Sequence, residues 1–243
     1  MAEVVLQLAG LSKSFGGVHA VRDLTFAISR GEILGLIGPN GSGKSTTVNV
    51  LSGLHPASAG SIMLDGQAIE ALPEYERVSY GLARTFQTAR VFPEFTVREH
   101  VTIGTRAARG RNAGPAGVTE RVEDLMGLCG LADVADRLVA TLSSAQQRFL
   151  MIATALASAP KVVLIDEPAA GLVSHERKTL GLLIRAIRDR GTAVLVIEHH
   201  MELIMAVCDR IVVLNFGSKI AEGKPAEIRG NRAVIDAYLG ESV

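Results

Sequence analysis

Apolar and polar positions along this chain change rhythm three times, and the order of those rhythms predicts its elements. Short strands come first, punctuated by turn signals at Phe15-Gly-Gly17 and Ser29-Arg-Gly31. Ile33-Leu-Gly-Leu-Ile37 is apolar throughout and reads as a buried strand, and Ser45 to Leu51 reads as the helix that follows. Gly60 to Gly66 predicts a hairpin-like piece, because Asp65-Gly66 suits a tight turn. From about Val97 to Ala159 the pattern is helical, broken by the turn-rich stretch Gly110-Arg-Asn-Ala-Gly-Pro-Ala-Gly117. Two apolar, β-branched runs then follow, Lys161 to Asp166 and Thr192 to Glu198, separated by a helix predicted from His175 to Arg190. Such runs are typical of parallel strands buried on both faces. There is no internal repeat.

Composition narrows the picture. The chain has 243 residues, 48% of them hydrophobic, and a formal net charge of +0, which suits one globular domain with a sizeable core. Balanced charge argues against a nucleic-acid partner, and the basic run Arg106-Ala-Ala-Arg-Gly-Arg111 reads as a solvated loop. No apolar run is long enough to span a bilayer and the start lacks the pattern of a secretory signal, so a cytosolic location is expected. Cys129 and Cys208 lack metal-binding or redox spacing and read as buried apolar residues.

The chemistry begins at Gly38-Pro-Asn-Gly-Ser-Gly-Lys-Ser45, which fits the phosphate-binding pattern G-x-x-x-x-G-K-[ST] between a strand and a helix. Glycines let backbone N–H groups wrap a β-phosphate, the helix dipole faces the same anion, and Lys44 adds a full charge. Ser45 is placed to ligate Mg²⁺. A second signal is Val162-Val-Leu-Ile-Asp-Glu-Pro168, where two acids end a strand that is otherwise apolar. Asp166 is a candidate Mg²⁺ holder, and Glu167 the candidate that orients or deprotonates an attacking water.

With these motifs in order, the sequence resembles the nucleotide-binding subunits of ATP-binding-cassette transporters over almost its whole length. The resemblance implies an α/β fold with a P-loop NTPase core, a mostly parallel sheet flanked by helices. It also implies an N-terminal antiparallel β subdomain and an inserted helical subdomain at approximately 90–158, all within a single nucleotide-binding domain spanning 1–243. It implies ATP and Mg²⁺ as ligands, with Gly38, Pro39, Asn40, Gly41, Ser42, Gly43, Lys44, Ser45 and Thr46 on the nucleotide, Phe15 stacked on adenine and Val21 beside it. Gln87 matches the glutamine that reaches Mg²⁺ and water, so it joins Ser45 and Asp166 as a metal candidate. His199 matches the histidine that contacts the γ-phosphate, and joins Glu167, Lys44 and Gln87 as catalytic. His200 and His175 lack a counterpart and read as ordinary surface residues. Leu142-Ser-Ser-Ala-Gln146 occupies the place of the signature motif, whose residues Ser143, Ser144, Ala145 and Gln146 would face the ATP of a partner subunit.

Within that family the likeness is strongest to ATP-binding subunits of branched-chain amino acid importers, through Ala83 to His100, Glu167 to Leu172, Ile197 to Leu203 and Val234 to Gly240. It implies transmembrane permease partners, contacted by Gln87 and the segment around Phe92-Pro-Glu-Phe95, an indirect link to a solute-binding protein, and a peripheral position on the inner face of the membrane. Three positions depart from the family pattern: Ser144/Ala145 where glycine is usual, Val173 where Asp or Asn is usual, and Thr154 in place of an arginine. If the backbone at Ala145 needed φ > 0, a side chain there would cost on the order of 1–2 kcal/mol; a helical φ would cost next to nothing. These departures favour a heterodimer with unequal sites over a homodimer. They also keep open a second reading, a regulatory module that dimerises on ATP with little hydrolysis.

Overall fold

The computed structural model describes residues 3–85, 91–108 and 115–239. Its strands are β1 (Val4–Phe15), β2 (Val18–Ser29), β3 (Ile33–Ile37), β4 (Ala59–Leu64), β5 (Gln67–Ala68), β6 (Leu82–Arg84), β7 (Val162–Asp166), β8 (Ala193–Ile197), β9 (Arg210–Asn215) and β10 (Ser218–Gly223). Its helices are α1 (Lys44–Ser52), α2 (Glu74–Tyr80), α3 (Val97–Thr105), α4 (Pro115–Leu128), α5 (Ser144–Ala157), α6 (Ser174–Asp189), α7 (Met201–Val207), α8 (Pro225–Arg229) and α9 (Arg232–Leu239).

Two sheets organise these elements. The first is antiparallel, in the order β2-β1-β4-β5. Its connections follow the turn chemistry: Phe15 pairs with Val18 across Gly16-Gly17, and Leu64 pairs with Gln67 across Asp65-Gly66, both of which have positive φ (51° and 78°) as a tight hairpin turn requires. The second sheet, β10-β9-β3-β8-β7-β6, is parallel except for β10, which runs antiparallel to β9. The expected α/β architecture is therefore met.

Strand periodicity explains why the larger sheet sits in the middle. In β3, β7 and β8 every residue is buried, and alternate side chains enter different cores. Ile33, Ile37, Val163, Ile165, Val194 and Val196 pack with the helices; Leu34, Leu36, Val162, Leu164, Leu195 and Ile197 pack with α1 and the antiparallel sheet. Each such residue contributes about 2 kcal/mol relative to exposure. Between β6 and β7 the described residues form α3, α4 and α5, as the helical pattern predicted. The stretch read as a turn through Gly117 is shorter at its end, because α4 starts at Pro115, whose fixed φ suits the first helical position.

Helices α3 and α5 meet closely. A Cβ at Gly104 would lie 2.2 Å from the Thr154 carbonyl oxygen, so only glycine fits there. Thr154 itself faces inward: its hydroxyl donates to the Leu150 carbonyl (2.8 Å) and lies 3.0 Å from His100 Nδ1. His100 is buried, which holds its pKa below the ordinary histidine value. The departure at Thr154 is thus a packing feature of this helix pair.

Candidate active site

The parallel register gathers the candidate residues. Leu36 of β3 and Asp166 of β7 both flank Ile197 of β8, so the loops leaving the three strands emerge side by side at their carboxyl ends. Ligands collect at this edge of open α/β sheets.

The loop from Gly38 to Gly43 is shaped by close backbone approach. Gly38 (φ 150°) has the Leu214 carbonyl oxygen 2.2 Å from where a Cβ would stand, and Gly43 (φ 102°) has that of Ala20 at 2.4 Å. Gly43 is also the residue before α1, which therefore begins with no side-chain cap. Lys44 folds back over the loop, its ammonium donating to the carbonyls of Gly38 and Pro39 at 2.7 Å each. This puts a positive charge at the mouth of a glycine cradle, an arrangement that fits a phosphate chain. Ser45 is exposed, Thr46 half-buried, Asn40 and Gly41 exposed, and Pro39 and Ser42 buried in the loop's base. The far end of α1 is capped by Arg77, 1% exposed, which donates to the Val50 and Leu51 carbonyls at 2.7 Å each.

Phe15 lies at the end of β1, 44% exposed, with the His55 ring edge-on at 5.4 Å and the Lys13 ammonium 4.8 Å from its centre. The residue read as its neighbour is a correction. Val21 is 1% exposed and belongs to the core, so its side chain offers no face to an adenine.

Asp166 ends β7 and is 6% exposed. Its carboxylate pairs at 2.9 Å with Arg84 of the neighbouring strand β6, and Arg84 also donates to Asn49 Oδ1 (2.8 Å) and Ser52 Oγ (3.0 Å) on α1. Burial raises the Asp166 pKa above the ordinary value, the Arg84 guanidinium opposes that rise, and the nearby acids Glu167 and Glu198 add to it. A serine hydroxyl and a carboxylate are the oxygen donors that suit Mg²⁺. Glu167 follows at a positive φ of 46°, half-buried, its N–H donating to the Ile197 carbonyl (2.9 Å) and its carbonyl accepting from Arg148 of α5 (2.7 Å). Strained backbone of this kind at a non-glycine residue is common where a site demands it. Gln87 lies outside the described residues.

His199 follows β8 and its side chain is 57% exposed. His200 is more than a surface residue: its Nδ1 lies 3.0 Å from Glu198, whose side chain is fully buried. Sequence reasoning also passed over Glu198, Arg84 and Arg77. The available signal for Glu198 was an acid closing an apolar strand, the same signal that marked Asp166.

At the start of α5, Ser143 accepts from the Gln146 N–H (3.2 Å) and Gln146 Oε1 accepts from the Ser143 N–H (3.0 Å), a reciprocal capping box. Ser144 and Ala145 are already helical and absent from the positive-φ residues, so neither carries a left-handed penalty. Ala145 packs against the helical core. Neither side chain therefore carries the backbone cost that a left-handed φ at these positions would have imposed. Val173 is 53% exposed and precedes α6; its N–H donates to the Glu176 carboxylate (2.9 Å), but having no side-chain oxygen it leaves the first turn of α6 without the cap that an Asp or Asn would supply.

Comparison with known proteins agrees with this geometry. A model of the ABC transporter family matches residues 21–170, and a model described as branched-chain amino acid ATP-binding cassette transporter matches residues 218–243. Two curated relatives, the high-affinity branched-chain amino acid transport ATP-binding proteins BraF of Pseudomonas aeruginosa and LivG of Salmonella typhimurium, are 37% and 38% identical over 100% of this chain and 100% of their own. Among solved structures, an ABC-transporter ATP-binding cassette in its ADP conformation has a TM-score of 0.87 and 27% identity, covering 98% of this chain and 99% of its own. A dimeric cassette in a post-hydrolysis state with ADP and Pi has a TM-score of 0.78 and 26% identity, covering 90% and 98%. With one family model spanning well over half of its length, and relatives matched end to end, this chain belongs to the ABC transporter family as one of its ATP-binding cassettes.

Proposed function

We propose that this chain is the ATP-binding and ATP-hydrolysing subunit that energises an importer of branched-chain amino acids or similar small solutes. The observation that carries this reading is the meeting of a phosphate loop, an acid pair and a histidine at the carboxyl ends of β3, β7 and β8. The match of residues 218–243 to the branched-chain amino acid cassette model supports the choice of solute. The whole chain acts as one nucleotide-binding unit, with 90–158 as its helical subdomain.

Backbone N–H groups of the loop from Gly38 to Thr46 cradle the phosphates, the Lys44 ammonium turns from the carbonyls of Gly38 and Pro39 to the β- and γ-phosphates, and Phe15 stacks on the adenine. Ser45 and Asp166 would hold Mg²⁺, with Gln87 as a third candidate, and the ion would supply neutralising charge for the phosphates. Glu167 orients the attacking water and takes its proton, while His199 reaches the γ-phosphate. The residues Ser143 to Gln146 face the ATP of a second ATP-binding subunit.

That second subunit is a partner, and because Ser144 and Ala145 would face its nucleotide, a heterodimer with unequal sites is favoured over a homodimer. Permease subunits are the other partners, with a solute-binding protein linked through them, and the chain sits peripherally on the inner face of the membrane. No described helix is long and apolar enough to cross a membrane. Phe92 and Phe95, 52% and 37% exposed with ring centres 5.3 Å apart, are an apolar pair available to a permease.

Steady-state ATPase over a protein concentration series, with and without Mg²⁺ and beside Glu167→Gln, tests the reading. Turnover per chain is expected to rise with concentration, to require Mg²⁺, and to fall by roughly 100-fold in the variant. Tight ATP binding with no turnover at any concentration, alone or with a second ATP-binding subunit, would overturn it.

A further inference from the structure

Glu198 is a carboxylate with no exposed side-chain surface at the end of β8, directly before His199. Its two oxygens serve different segments. Oε1 accepts the N–H of Ala169 at 2.7 Å, two residues beyond Glu167 on the loop leaving β7. Oε2 accepts the N–H groups of His199 and His200 and the Nδ1 of His200, each at 3.0 Å, on the loop leaving β8. A carboxylate only accepts, so Nδ1 of His200 carries the proton in this bond and the ring is held in one tautomer.

We propose that Glu198 is a positioning residue that locks the Glu167 loop to the His199 loop, so that the acid and the histidine keep a fixed relation. The proposal rests on the reading of those two residues as catalytic. Beside the β7–β8 ladder and the Glu167 N–H bond to the Ile197 carbonyl, this buried carboxylate links the two segments directly through four charge-assisted hydrogen bonds. β8 itself ends in apolar Ile197, and the acid is the first residue to leave the strand. A buried acid there is costly unless bonded, and here its bonds go to the two loops that carry the chemistry. Although Glu198, His199 and His200 also offer three ligand atoms within 4.8 Å of one another, both carboxylate oxygens are already occupied by N–H donors, which favours a clamp over a metal cradle.

Glu198→Gln keeps the shape and replaces one acceptor oxygen by a donor. Two readouts are needed. In amide hydrogen exchange, Ala169, His199 and His200 are expected to speed up together by roughly tenfold, while the β7 and β8 strands hold. In kinetics, kcat is expected to fall by roughly 10- to 100-fold with the affinity for ATP changed less than about twofold. His200→Ala serves as the second variant, should Glu198→Gln fail to fold. It removes one bond to Oε2, and the lock requires faster exchange at Ala169, on the opposite oxygen. Acceleration confined to one loop, in either variant, or a loss of kcat matched by an equal loss of ATP affinity, overturns the proposal. Glu167→Gln and His199→Ala are run alongside. Full turnover in both would sink the catalytic reading, while the exchange data would still judge the lock.

Discussion

Helices α1 and α5, whose first turns the proposed function sets against nucleotide, begin in opposite ways. The first turn of α1 follows Gly43 at φ 102°, with no side chain closing the helix start. The first turn of α5 follows Ser143, and Ser143 and Gln146 satisfy each other's N–H groups. Glycine is needed at α1 because the unusual dihedrals and the close carbonyls lie in the loop before the helix. At α5 the residues after the cap are helical, so Ser144 and Ala145 fit without strain. Side chains are therefore accommodated at the start of α5 and excluded just before α1. The two helices are also moored differently. An arginine on β6 joins α1 to Asp166 through a buried ion pair, whereas α5 reaches the Glu167 carbonyl through one hydrogen bond from Arg148.

The comparison can be broken first at the phosphate loop. Gly43→Ala would put a Cβ 2.4 Å from the Ala20 carbonyl oxygen at φ 102°. ATP affinity measured by calorimetry is expected to fall by roughly 100-fold, about 2.7 kcal/mol. Wild-type affinity would mean that the cradle does not depend on that approach.

The moorings come next. Arg84→Ala leaves the Asp166 carboxylate buried without its cation and is expected to cost about 3 kcal/mol in denaturant unfolding. Arg148→Ala removes a single bond to a carbonyl and is expected to cost about 1 kcal/mol. Equal losses would erase the difference between the two helices.

The smallest effect sharpens the comparison most. Ala145→Gly removes the methyl, and in a helical position it is expected to lower stability by about 1 kcal/mol and leave turnover unchanged. A several-fold rise in turnover would show that the methyl hinders the partner's nucleotide after all.

Legibility from sequence followed distance along the chain. The phosphate loop, the Asp166-Glu167 pair and the apolar strands each declare themselves within a few residues, since spacing and local backbone demands are what those motifs consist of. The flat burial of β3, β7 and β8 likewise needs only a run of β-branched residues. What escaped was set by which strands become neighbours. Arg84 reaches Asp166 across 82 residues because β6 pairs with β7, and Glu198 reaches Ala169 across 29 because β7 pairs with β8. Val21 was misread for the same reason: its place in the inner layer follows from the β1–β2 register and the helix packed on it, which a motif match does not encode. The helical dihedrals at Ser144 and Ala145 also needed coordinates, because the same letters would suit a loop.

Cys129 and Cys208 are both buried, and burial pushes each thiol up to about 12. At neutral pH they remain protonated and hidden, hence poor nucleophiles. With just these two in the chain, the native protein gives a quiet background for thiol chemistry. A cysteine introduced at Leu182, 65% exposed on α6, would be the one readily labelled position, so spectroscopic reporters could be attached to the folded subunit without first stripping its own cysteines.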